Sequence, residues 1–134
     1  MIAILSIKTQ YVKEILNGNK KYEFRKTSFK KDVEEILVYV TKPVGKFVCK
    51  FYVGEIIKDT PENLWRSFRD SSGLTKEGFF TYFSNRKKGV AIEIRDVEEF
   101  SKPINPKTLF PKFTPPQSWM YVPKEKERIS ETIR

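Results

Sequence analysis

Histidine is missing from this chain altogether, and its absence removes more chemistry than any single residue supplies. Without an imidazole there is no Ser-His-Asp or Cys-His activation, no paired-histidine ribonuclease chemistry, and the commonest zinc ligand is lost. Cysteine is almost as scarce. Cys49 stands alone, so neither an intrachain disulfide nor a cysteine-based zinc site is expected. Its neighbours Phe47, Val48 and Phe51 place it in a strand, as a small structural hydrophobe. No apolar run approaches the roughly 20 residues that a spanning helix needs. The stretch Met1 to Leu5 is too short, and lacks the basic lead, for a secretory signal. A cytoplasmic protein that meets no membrane is the expectation. A Gly-rich phosphate loop and internal repeats are also lacking. Any catalysis therefore falls to Lys, Glu, Asp, Tyr, Ser or Thr, with no cofactor and no metal expected. The adjacent carboxylates Glu34-Glu35 and Glu98-Glu99 would point to opposite faces of a strand, so they read as solvating charges.

The residues that are present describe one compact domain with an anionic partner. A length of 134 residues, 39% of them hydrophobic and 14% aromatic, suits a single core. We place the domain at residues 1–123 and a charged tail at residues 124–134. That tail reads as a peripheral helix or as disorder, with Ile129 and Ile133 one turn apart. Lys and Arg total 26 against 17 Asp and Glu, a net charge of +9, and the excess lies in the amino-terminal half. Six cations fall between Lys20 and Lys31, opposed by Glu23 and, just beyond, Asp32. With Tyr22, Phe24 and Phe29 interleaved, this basic stretch suits phosphate attraction plus base stacking on single-stranded or looped RNA.

Local signals alternate between strands and short helices. Tyr11, Val12, Ile15 and Leu16 have helical spacing, and Gly18 is placed to end that helix in a left-handed conformation. A strand then starts, with Tyr22 and Phe24 on one face and Lys21, Glu23 and Arg25 on the other. Further strands are expected over residues 35–40, 47–57 with Gly54 as a bulge, 89–100 and 118–122. Thr60-Pro61 and Thr75 are helix starts, and Leu64, Trp65 and Phe68 are core or lid packing. Arg86-Lys87-Lys88 forms a basic turn suited to RNA backbone. Six of the eight prolines lie between Pro103 and Pro123, which forbids a long helix and implies an extended wrap around the sheet.

Gly18, Lys20, Glu23 and Arg25 fill the pattern G-x-K-x-x-E-x-R. Leu5-Ser6-Ile7-Lys8, Tyr39 to Pro43, Leu64-Trp65, Tyr82-Phe83 and Pro115 to Ser118 with Tyr121 follow in order. In these residues the chain resembles the ASCH family, over about Ile4 to Val122. The resemblance implies an α+β fold, a small PUA-like mixed β-barrel with short flanking helices, and a cleft beside the first helix. It implies as ligand an RNA or a nucleotide-like anion, held by Ser6, Lys8, Lys20, Lys21, Glu23, Arg25 and Ser118. As an enzyme of this family the chain would be a hydrolase, either an acetylated-cytidine amidohydrolase in which Lys20 and Glu77 match the family's lysine and glutamate, or a ribonuclease working through Lys20, Glu23 and Arg25. The threonine nucleophile of the amidohydrolase branch is replaced here by Glu23. Binding of RNA is the leading expectation, hydrolysis the alternative, and an interaction domain with a merely solubilising basic face the third.

Overall fold

The computed structural model describes residues 1–128. Strand β1 (Ile2–Ile7) is apolar at five of six positions, as a strand covered on both faces must be. Its odd positions Ala3, Leu5 and Ile7 pack on helix α1 (Thr9–Leu16) through Val12 and Ile15, with Val38 and Phe51 behind. Its even positions Ile2 and Ile4 pack with Leu37, Phe47 and Phe100 on the opposite face. Gly18, with φ of +84°, turns the chain out of α1. Strand β2 (Tyr22–Arg25) follows, and then β3 (Glu35–Val40), which returns parallel to β1 with Ile2 opposite Glu35 and Ile7 opposite Val40. A parallel pair needs a crossover, and α1 with β2 supplies it.

Strands β4 (Lys46–Asp59) and β5 (Gly89–Ile104) form the longest ladder. Its register slips between Val53 and Ile56, where Gly54 was expected to bulge. A Cβ at Gly54 would collide with the ends of the Glu93 and Arg95 side chains, so a larger residue there would displace the ion pair they form. Strand β5 outruns the expected end at Phe100 because pairing resumes past the third slip of the ladder, with Ile104 opposite Phe47. Inserted between β4 and β5 are α2 (Pro61–Phe68) and α3 (Lys76–Tyr82), capped by Thr60 and Thr75 as their residue types predict. They bury Leu64, Phe79 and Phe83 against Phe24 and Ala91.

The proline-rich segment carries only the short helix α4 (Pro106–Leu109), and its Phe110 and Phe113 rings cover Phe47. It ends in β6 (Trp119–Tyr121), antiparallel to β1. The sheet order is β2-β5-β4-β3-β1-β6, a curled, mixed half-barrel with helices on its flanks. Of the charged tail, Lys124–Lys126 form one 3-10 turn; the Ile129 and Ile133 expectation lies outside the described residues.

Cys49 is fully buried in β4, and burial pushes its thiol up to about 12. A thiol-specific chromogenic reagent is therefore expected to leave the native protein unlabelled at neutral pH and to titrate one thiol in denaturant. Rapid stoichiometric labelling of the folded protein would contradict this packing.

Candidate functional site

Strand β2 is an edge strand whose polar face turns inward. Glu23 and Arg25, expected opposite Tyr22 and Phe24, are 7% and 9% exposed, and Lys20 at the bend is 2% exposed. The Glu23 carboxylate holds both cations: Oε2 accepts from Arg25 Nη2 at 2.7 Å, and Oε1 lies 3.4 Å from Lys20 Nζ. Lys20 Nζ also donates to the Ser72 carbonyl at 2.7 Å and sits 5.2 Å from the centre of the Phe24 ring. Arg25 reaches across the opening of the half-barrel. Its Nη1 donates to the Ser118 hydroxyl at 3.0 Å and the Ser118 carbonyl at 3.3 Å, and Nη2 to the Ser6 carbonyl at 3.1 Å. One guanidinium thus links β2 to β1 and to the segment entering β6, where no backbone ladder joins them.

This network floors a cleft of about 410 Å³, within the roughly 300–1,000 Å³ of small-molecule sites. Ser6, Ile7, Lys8 and Tyr11 line one side; Leu74, Gly78, Thr81 and Tyr82 line another, with Gln117 beside them. Burial lowers the proton affinity of Lys20 and prevails over Glu23, which favours the ammonium; Arg25 adds to the lowering. Burial alone would raise Glu23, but Arg25 and Lys20 outweigh it and hold its carboxyl below the ordinary value. Tyr82 is 38% exposed, and partial burial raises its phenol. Among the described residues no cluster of three or more carboxylate or cysteine side chains is placed to hold a metal ion. No helix among them is long and apolar enough to cross a membrane.

Residues 2–112 match the family described as "Domain of unknown function (DUF365)". The chain belongs to that family. It is an ASCH domain of the PUA-like fold. A curated relative, the ASCH domain-containing ribonuclease of Zymomonas mobilis, is 28% identical over 127 residues, spanning 92% of this chain and 85% of the relative. The crystal structure of ASCH from Zymomonas mobilis superposes with a TM-score of 0.89 at 25% identity, covering 99% of this chain and 96% of that one. The N-terminal domain of Staphylothermus marinus McrB shares the fold, with a TM-score of 0.62 at 12% identity, over 98% of this chain and 93% of that one.

The ASCH motif residues converge: Lys20, Glu23 and Arg25 meet in the floor, Ser6 and Lys8 line the cleft, and Ser118 anchors Arg25. Two of the expected residues lie apart. The Lys21 side chain is exposed and does not line the cleft, because its backbone bonds to Ser71 and Ile94 turn the odd-even alternation at this point. Glu77 is exposed in the first turn of α3; the cleft takes the face of Gly78, Thr81 and Tyr82 instead. The rings expected to stack on bases are engaged in packing: Tyr22 on Phe68 at 4.1 Å, Phe24 on Phe79 and Phe29 on Trp119. The aromatic residues that do line the cleft are Tyr11 and Tyr82 along with Phe24. Tyr82 was legible in principle, since Gly78, Thr81 and Tyr82 at i, i+3 and i+4 form a stripe separate from the core pair Phe79 and Phe83.

Glu23→Gln would leave the buried Arg25 without its carboxylate and take away the partner of Lys20, so a loss of about 3–5 kcal/mol is expected in urea unfolding at neutral pH. Replacing Lys20 by Met in the same chain is expected to restore part of it. Because the folded value of Glu23 is depressed, its contribution is complete above about pH 4.3 and is lost as pH falls through the depressed value. Glu23→Gln therefore flattens the acid limb of the stability curve. A cost below about 1 kcal/mol would mean that the network does not hold the fold.

Proposed function

We propose that this ASCH domain binds single-stranded RNA, seats one nucleotide in the cleft, and cleaves the adjoining backbone through the 2′-hydroxyl. The observation that carries the reading is Lys20, a desolvated amine of lowered proton affinity lining a nucleotide-sized cleft. The ribonuclease named among the relatives supports RNA as the substrate class. In this scheme the neutral amine of Lys20 takes the proton of the 2′-hydroxyl as its oxygen attacks phosphorus. The bond from phosphorus to the 5′-oxygen breaks, and the leaving oxygen takes a proton from solvent water. The products are a 2′,3′-cyclic phosphate and a 5′-hydroxyl. Arg25, fixed by four hydrogen bonds, supplies positive potential at the floor without moving during the reaction.

A second reading, nucleotide binding without turnover, is favoured by the 3.4 Å approach of Glu23 to Lys20, which stabilises the ammonium over the amine. Amide hydrolysis fits less well, because Glu23 stands where that branch has its nucleophile and both its oxygens face cations.

Incubation of single-stranded RNA with the purified chain in chelator, read by mass spectrometry, is expected to yield cyclic-phosphate ends. Lys20→Met is expected to slow the reaction by on the order of a hundredfold or more while RNA retention persists. Activity is expected to fall with acid as Lys20 is protonated. RNA retained but never cut by the parent protein would leave the binding reading in its place.

A further inference from the structure

The six cations between Lys20 and Lys31 divide into two populations. Lys20 and Arg25 are buried in the cleft floor, whereas Lys26, the next residue along, is exposed at the mouth. Its ammonium lies 4.9 Å from the centre of the Tyr82 ring, and that ring lines the cleft. Its backbone carbonyl accepts from Arg86 Nη2 at 3.2 Å, across sixty positions of sequence. Two basic segments distant in the chain are therefore pinned together beside one wall of the cleft. Among the described residues neither Lys26 nor Arg86 makes an ion pair with a carboxylate. Arg86 carries five N–H donors, and its bond to Lys26 engages one.

The Arg86 bond and the Tyr82 contact hold both side chains beside the cleft and leave their charges exposed to solvent, open to an anion. The chemistry that fits is a phosphodiester. A guanidinium offers it paired donors and a lysine offers a point charge. We propose that Lys26 and Arg86 form a phosphate clamp at the mouth of the cleft, gripping the RNA backbone next to the nucleotide seated inside. The clamp rests on the RNA reading above and adds to it a direction: the strand leaves the cleft past Tyr82 toward the turn that carries Arg86. Lys20 and Arg25 act on the seated nucleotide, and the clamp sets how the rest of the strand is held.

The test is a fluorescence-anisotropy titration of a short single-stranded RNA whose 2′-hydroxyls are methylated, so that binding is read without cleavage. It is repeated over a series of salt concentrations. Lys26→Gln and Arg86→Gln are each expected to lower affinity several-fold at low salt and to reduce the slope of log affinity against log salt by about 0.7; the double variant loses about twice that. Lys26→Arg, which keeps the charge, is expected to retain the slope. Lys107→Gln, an exposed cation on α4, is expected to leave it unchanged. An unaltered slope in the double variant, or an equal loss in Lys107→Gln, would overturn the clamp. Failure of the parent to cut unmethylated RNA would remove only the cleavage reading, since the slopes still decide the clamp. Failure of the parent to bind at low salt would overturn both.

Discussion

One buried carboxylate between two buried cations sets the shape of this domain. Glu23 stays ionised because Arg25 and Lys20 face it, Arg25 tolerates burial because Glu23 is there, and Lys20 is buried deeply enough that its proton affinity falls in spite of Glu23. Arg25 then turns its two terminal nitrogens on Ser6 and Ser118, its buried Nε making no hydrogen bond, and carries the electrostatic anchor of one sheet edge across to the other. Lys20 does the same toward the α2–α3 connection through the Ser72 carbonyl. Desolvated charges of this kind seldom raise stability above what a hydrophobic replacement would give. What they confer is a defined geometry: a polar floor at fixed depth in an otherwise aromatic and aliphatic interior.

The surrounding packing explains why that floor stays in place. Gly73, with φ of +67°, lets the loop close so tightly on Lys20 that a Cβ there would lie 2.9 Å from the lysine Cβ. Ser72, fully buried, occupies its hydroxyl with the Arg69 and Leu74 backbone and leaves its carbonyl for Lys20. Helix α3 anchors through Phe79 and Phe83 and thereby presents Gly78, Thr81 and Tyr82 to the cleft. The mouth is shaped by apolar contacts, the floor by ionic ones, and substitutions in the two are expected to act on different properties.

Much of the fold was legible because local chemistry and tertiary context agree. Thr60-Pro61 and Thr75 are favourable helix-start residues and cap helices here, and the residues of β3 alternate between two apolar clusters. The extent of β5 was not legible, because Ser101-Lys102-Pro103 carries no strand signal and its pairing is imposed by Phe47 and the wrap over it. The motif showed that Lys20, Glu23 and Arg25 belong together, and alternation put Glu23 and Arg25 on one face. Nothing in it revealed that this face is interior, since burial of a charged strand depends on α2, α3 and Ser118, all far along the chain. Lys21 illustrates the converse: it shares the composition of the site but not its side of the turn.

The seam closed by Arg25 also couples two strands that share no ladder. β2 spans four residues and β6 three, and each is paired along one side only. Short edges of this kind open locally at low free energy when nothing ties them down. Tied to each other by one guanidinium, they are expected to open as one unit, so that the amide protons of Glu23 and Met120, nearly a hundred positions apart, would lose protection together. A ligand seated in the cleft would then slow deuterium uptake at the far edge of the sheet as well as at the edge it touches.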